Sequence, residues 1–332
     1  MSLSWIQALI LGLVQGLTEF FPVSSSAHLK LAKKFLSIPD GEHLLFFDLL
    51  CHAGTLLALI FYLRREIWEV LRSPSKIALF SLAIIPLVPA YFLLKPIRIA
   101  ASDPSYLGYF LIFTSLLLFA ACRQKTPAPV KLQTATHCSK SKASDEDRLG
   151  TAADNPYSDA TQLRSVVGLR QSIIEAERSD GTTHCSKSKA SDEDRLGAAA
   201  DNPYNRKWRD VLCIGGMQAL ALIPGISRSG STIAAARFCG WNWVDAARFS
   251  FLLAVPTILG GEMLETMKWM KGHTDAVPLS FGCYAAGFAA SFGLGMVSVR
   301  FIFSIYEKGK VHSFAWYCLG MGLLATMIFR NG

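Results

Sequence analysis

Residues 4–28 read SWIQALILGLVQGLTEFFPVSSSAH. The first part is almost wholly apolar, so it reads as a helix in a hydrophobic setting. Two polar residues interrupt it. Gln15 and Glu19 are four apart and share one helical face. Pro22 then breaks the helix, and Ser24, Ser25 and Ser26 follow at the break. A second helix can start there with its first backbone N–H groups free. An ionisable Glu19 within an apolar span is expensive, which marks it as a functional residue.

The same apolar character recurs along the chain. Apolar runs occupy 4–21, 44–63, 77–94, 106–122, 249–264, 278–299 and 311–329. About 20 apolar residues cross a bilayer whose hydrocarbon core is roughly 30 Å thick. A soluble domain might bury one such run, but not six or seven. The chain therefore reads as an all-α, polytopic helical membrane protein. The N-terminus lacks the basic segment and small-residue cleavage site of a signal peptide. The eight cysteines form no C-x-x-C pair and read as small buried hydrophobes of a reduced protein. The net charge of +8 belongs to the loops flanking the spans and does not call for nucleic acid.

Between 123 and 209 the pattern changes to Ser, Asp and Lys, and a direct repeat appears. Residues 136–157 read THCSKSKASDEDRLGTAADNPY, and 183–204 differ only in having Ala198 where the first copy has Thr151. Two copies are too few for a solenoid, and the composition reads as a disordered cytoplasmic insert. It separates a first membrane half, 1–122, from a second, 210–332.

The halves resemble each other. Gly12-Leu-Val-Gln15 precedes Pro22-Val-Ser24, and Gly215-Gly-Met-Gln218 precedes Pro224-Gly225-Ile-Ser227. Each half thus predicts a hairpin of two short helices that enters and leaves the membrane on one side. Such weak internal symmetry is found in inverted-topology repeats. Arg64, Arg65, Arg72, Lys76, the insert, Arg300, Lys308 and Lys310 fall on one side, and Lys95, Arg98, Lys268 and Lys271 on the other. The richer side is expected in the cytoplasm, with both termini outside.

The second motif, Pro224-Gly-Ile-Ser-Arg-Ser-Gly-Ser-Thr232, suits an oxyanion. Backbone N–H groups near a helix start form an anion-binding concavity, and Arg228 offers a bidentate guanidinium. It lacks the spacing and the Lys of a Walker loop. Together the two motifs supply a carboxylate, a hydroxyl nucleophile, an imidazole and an arginine, a set that fits phosphoryl transfer. Asp48 and His52 share a face of the 44–63 span. They could line the site or pair within the bundle.

QGLTEFFPVSSSAH and PGISRSGST resemble the two motifs of bacitracin-resistance-type undecaprenyl-diphosphate phosphatases. FDLLCHAGTLLALIFYLRRE and AARFSFLLAVP are similar to further family segments, so the resemblance covers the membrane core. The insert of about 125–208 is the departure. The resemblance implies hydrolysis of undecaprenyl diphosphate to the monophosphate and inorganic phosphate in the bacterial inner membrane. That activity recycles the carrier lipid for peptidoglycan synthesis and confers bacitracin resistance. It further implies Ser25 as nucleophile, Glu19, His28 and Arg228 as catalytic partners, and phosphate contacts from Ser24, Ser26, Gly225, Ser227, Ser229 and Thr232. A divalent cation, magnesium or calcium, is expected at Glu19 and Gln15; Gln15 is the alternative to Glu in the family's first motif and leaves one fewer carboxylate. The expected partners are a polyprenyl diphosphate and the bilayer, with no oligomeric state implied. Two other classes compete: a transporter or flippase for a lipid phosphate, and a structural membrane subunit.

Overall fold

The computed structural model of the chain describes residues 3–39, 44–124, 208–272 and 279–330, and the repeated insert lies outside them. Among the described residues all regular structure is helical. Helix α1 (Trp5–Thr18) starts on a capping box between Ser4 and Gln7. At 14 residues it is about 21 Å long, too short for a full crossing. The apolar run of 4–21 is therefore not one span. Pro22 has no N–H to donate and disfavours helical geometry at the residue before it, so the chain turns at 19–24. Helix α2 (Ser25–Phe35) then begins, with Ser24 as its N-cap.

The chain continues through α3 (Leu45–Tyr62), α4 (Arg64–Leu71), α5 (Pro74–Ile84), α6 (Leu87–Leu93), α7 (Lys95–Ala100) and α8 (Leu107–Arg123). Pro86 separates α5 from α6. After the insert come α9 (Trp208–Leu220), a turn, α10 (Arg228–Phe238) and the 30-residue α11 (Trp243–Gly272). α11 runs through Pro256 without ending. Helices α12 (Phe281–Glu307) and α13 (His312–Arg330) complete the chain. Six spans are long and apolar enough to cross a membrane: Leu45–Tyr62, Pro74–Leu93, Pro104–Arg123, Trp243–Lys268, Phe281–Glu307 and His312–Arg330. They make the chain a multi-pass membrane protein.

In lipid, apolar surface gives helices little reason to associate, so contact depends on close packing through small residues. Helix α1 lies on α12 in this way. A Cβ on Gly16 would come within 2.8 Å of the Ser291 carbonyl oxygen, and one on Gly12 would strike the backbone of Gly287. Helix α9 uses the matching glycine, Gly215, to sit against the Ala83 backbone of α5. The two halves thus exchange partners: the opening helix of each packs on a helix of the other. Both glycines lie three residues before a glutamine, Gln15 or Gln218, and both glutamines are buried. The shared interior is aromatic, with Phe20, Phe251 and Phe303 meeting edge to face at 6.0 and 5.4 Å.

Charge at the membrane surface is grouped as well. Arg98 and Lys268 both reach the ring of Tyr91, at 4.1 and 5.5 Å, so the two cations share one end of the bundle. Each of the described cysteines, Cys51, Cys122, Cys213, Cys239, Cys283 and Cys318, is a free thiol.

Candidate active site

Both helix breaks open onto one cavity of about 240 Å³. Ser24, Ser25 and Ser26 line it from the start of α2, and Ser227, Arg228 and Ser229 from the start of α10. Two helix N-termini therefore converge on one space. First-turn N–H groups lack intrahelical partners, and each helix carries partial positive charge at this end. Helix N-termini favour anions, and the carboxylates of Glu19 and Glu262 line the same space.

Glu19 ties the two motifs together across 209 positions of sequence. Arg228 Nη2 donates to its Oε1 at 2.7 Å. Its Oε2 accepts from Ser25 Oγ at 2.7 Å and from Gln15 Nε2 at 2.8 Å. Glu19, one turn from Gln15 as the spacing predicts, is buried, so its carboxylate is stabilised by these donors and not by water. Gln15 Nε2 also lies 2.8 Å from His52 Nδ1. A carboxylate needs a donor, which fixes the Gln15 amide with its NH₂ towards Glu19. His52 Nδ1 must then accept, and its proton sits on Nε2.

Asp48 and His52, which share a face of α3, divide. His52 lines the cavity. Asp48 accepts from Lys33 at 2.6 Å and ties α3 to α2.

Four residues expected at the site do not line the cavity: Gln15, which lies behind Glu19 and holds it, and three others. His28 turns away from the cavity: its Nδ1–H donates to the Ser24 carbonyl at 2.8 Å. Its Nε2 accepts from the Tyr317 hydroxyl at 2.9 Å, and the two rings stack with centroids 5.6 Å apart. Thr232 is buried against Ser250, with 2.6 Å between hydroxyl oxygens, and donates to backbone carbonyls of its own helix. Gly225 forms the turn itself, at φ 98°. Ser229 lines the cavity while its hydroxyl donates to the Phe21 carbonyl at 3.1 Å, bracing one break against the other.

One acidic residue on the cavity wall escaped the sequence reading. Glu262, on α11, makes no hydrogen bond or ion pair with a described residue. A signal was available: it is an ionisable group inside an apolar run. As for a divalent cation, the donors at hand are oxygens, which suit magnesium or calcium. The buried Gln15 Oε1 has no hydrogen-bond partner among the described residues. No group of three His, Cys, Asp or Glu gathers among the described residues, so protein ligands alone would not complete a coordination shell.

Comparisons with known proteins place the chain among its relatives. The chain is 31% identical over 326 residues to the undecaprenyl-diphosphatase of Protochlamydia amoebophila, covering 98% of each chain. It is 29% identical over 333 residues to that of Parabacteroides distasonis, covering 97% of each. It is 30% identical over 330 residues to that of Carboxydothermus hydrogenoformans, covering 98% of each. The family profile described as bacitracin resistance protein BacA matches residues 8–149 and 182–324, which leaves only 150–181 unmatched within the insert. With both motifs and nearly the whole membrane core inside the matched segments, the chain belongs to the bacitracin resistance protein BacA family.

Proposed function

We infer that the protein is an integral membrane phosphatase that hydrolyses undecaprenyl diphosphate to undecaprenyl phosphate and inorganic phosphate. The reaction returns the carrier lipid to peptidoglycan synthesis and underlies bacitracin resistance. The observation that carries this reading is the contact of Ser25 and Arg228 with opposite oxygens of Glu19, at one cavity beneath two helix N-termini.

In the mechanism we favour, Glu19 Oε2 takes the proton of Ser25 as Ser25 Oγ attacks the terminal phosphorus. The bond between that phosphorus and the bridging oxygen breaks, and undecaprenyl phosphate leaves. Water then attacks the phosphoserine, and inorganic phosphate departs as Ser25 regains its proton. Arg228 and the first-turn N–H groups of α2 and α10 neutralise charge on the phosphate oxygens. Gln15 and Arg228 hold Glu19 in place, and His28 holds the Ser24 carbonyl. A magnesium or calcium ion would be held by Glu19, by Gln15 Oε1 and by Glu262, and would supply charge neutralisation for the diphosphate.

The exchanged packing of α1 and α9 supports a reading in which the two halves are inverted-topology repeats and each broken helix pair is a re-entrant hairpin. The protein would then sit in the bacterial inner membrane with the site between the repeats. The deciding experiment is phosphate release from undecaprenyl diphosphate by the protein purified in detergent, with and without chelator. Release lost in both Glu19→Ala and Arg228→Ala is expected. Movement of the lipid across a sealed bilayer with no phosphate released would point instead to a transporter.

A further inference from the structure

Glycines inside this bundle fall into two kinds. Gly12, Gly16, Gly215 and Gly287 are pressed against neighbouring atoms, so a side chain there would clash. Gly260 and Gly261 are the opposite: a Cβ on either meets nothing within 4 Å. Glycine in a helix interior costs up to about 1 kcal/mol relative to alanine. No packing contact accounts for this doublet in the middle of α11. What the missing side chains leave is open space.

That space is an apolar groove of about 550 Å³ between α6 and α11. Its walls include Val88, Phe92, Leu222, Leu264 and Met267. It follows α11 from Pro256 to Lys268, roughly 18 Å of helix. The volume lies within the roughly 300–1,000 Å³ of small-molecule sites. The groove adjoins the catalytic cavity: Gly261 lines both, and the adjacent residues Ala221 and Leu222 face one each.

We propose that this groove holds the isoprenoid chain of the substrate while its diphosphate occupies the cavity. The proposal rests on the phosphatase reading above. A molecule with a charged head and a long apolar tail must place both, and the two spaces differ in chemistry as its two parts do. The head space carries Glu19, Glu262, His52 and Arg228, whereas the groove is walled almost wholly by hydrocarbon. The glycine doublet is what keeps the tail's path clear.

The test uses Gly260→Phe. Gly260 borders the groove and not the catalytic cavity, and its substitution has room. Phosphate release is measured on a C55 and on a C5 prenyl diphosphate, wild type against variant. The ratio of kcat/KM, long over short, is expected to fall at least tenfold in the variant. An unchanged ratio with hydrolysis intact overturns the groove and leaves the phosphatase standing. No release from any prenyl diphosphate by the wild type sinks the phosphatase reading, and the groove proposal with it.

A second measurement does not depend on turnover of the short substrate. A C55 diphosphate carrying a photoreactive group on its isoprene chain is crosslinked to the protein. Adducts within 84–92 or 256–267, displaced by unlabelled C55 diphosphate but not by phospholipid, are expected. Adducts confined to other helices, or displaced equally by phospholipid, would show an ordinary lipid-facing groove and refute the assignment.

Discussion

The two helix breaks share a plan but place their backbone irregularity differently. In the second, the reversal falls on Gly225, at φ 98°, where glycine is at ease. Ser227 is then an ordinary N-cap at φ −71° and ψ 121°, its hydroxyl accepting from the Gly230 N–H. In the first, the cap itself is irregular: Ser24 sits at φ 65° and ψ 94° and makes no side-chain cap bond. Such a residue costs of order 1–3 kcal/mol and persists only where its surroundings hold it. Here they do. His28 grips the Ser24 carbonyl, Ser229 the Phe21 carbonyl and Cys318 the Pro22 carbonyl. The second break takes its turn from a glycine, with the Ser227 N–H also held by Thr114, and the first depends on the groups that grip its carbonyls. The first break carries Glu19 and Ser25, the base and the nucleophile of the proposed mechanism, where position matters most.

The comparison breaks most completely at Glu19, which both turns need. Glu19→Gln keeps the shape of the side chain but removes the proton acceptor. General-base catalysis contributes about 10²- to 10⁴-fold, and kcat is expected to fall by that much in a phosphate-release assay. A fall under tenfold would exclude Glu19 as base.

Arg228→Lys ranks next and alters the second turn together with its tie to Glu19. A lysine keeps the charge but loses the planar pair of donors. A charge-assisted hydrogen bond contributes about 1.5–3 kcal/mol, so kcat/KM should drop roughly 10- to 150-fold. Recovery to wild-type rates would mean that charge alone suffices there.

A smaller effect separates bracing from chemistry in the first turn. Tyr317→Phe removes the hydroxyl that donates to His28, and Tyr317 is not among the residues that line the cavity. Loss of one neutral hydrogen bond is expected to lower kcat about 2- to 10-fold with KM little changed. His28→Asn, which can still donate to the Ser24 carbonyl, should retain more activity than His28→Ala. Equal and complete loss in both would place the imidazole in the chemistry itself.

The legibility of these two turns from sequence was uneven for a physical reason. Local rules reach about one helical turn. They correctly put Gln15 and Glu19 on one face, ended the helix before Pro22 and started the next at the serines. The same proximity in sequence grouped His28 and Thr232 with the site. Rotation along their helices instead turns them towards Tyr317 and Ser250, contacts that depend on residues far along the chain or on another helix. Glu262 was missed for the converse reason. It belongs to no motif and reaches the cavity only because α11 packs beside both turns. The first apolar run was read as longer than its helix because composition alone does not register the turn after Thr18. The 22-residue repeat lies outside the described residues.

The finest distinction between the turns is strain, and it can be moved. Gly225→Ala puts a side chain at φ 98°, where Phe110 Cβ already lies 3.0 Å from the added carbon. It should lower stability by about 1–2 kcal/mol, read as a fall in Tm. Ser24 offers the opposite change. Ser24→Gly relieves the positive φ but frees the unfolded chain, which offsets part of the gain. Ser24→Ala removes the same hydroxyl, and with it the 3.3 Å contact to Ser26, without relieving the backbone. The informative quantity is therefore the difference between the two variants. Ser24→Gly should unfold at the higher temperature, by an amount corresponding to about 1 kcal/mol. Both should lose similar activity, since each lacks the same cavity-lining oxygen. Equal melting temperatures would show that the first turn stores no strain at Ser24, and that the two breaks differ in residue type but not in energy.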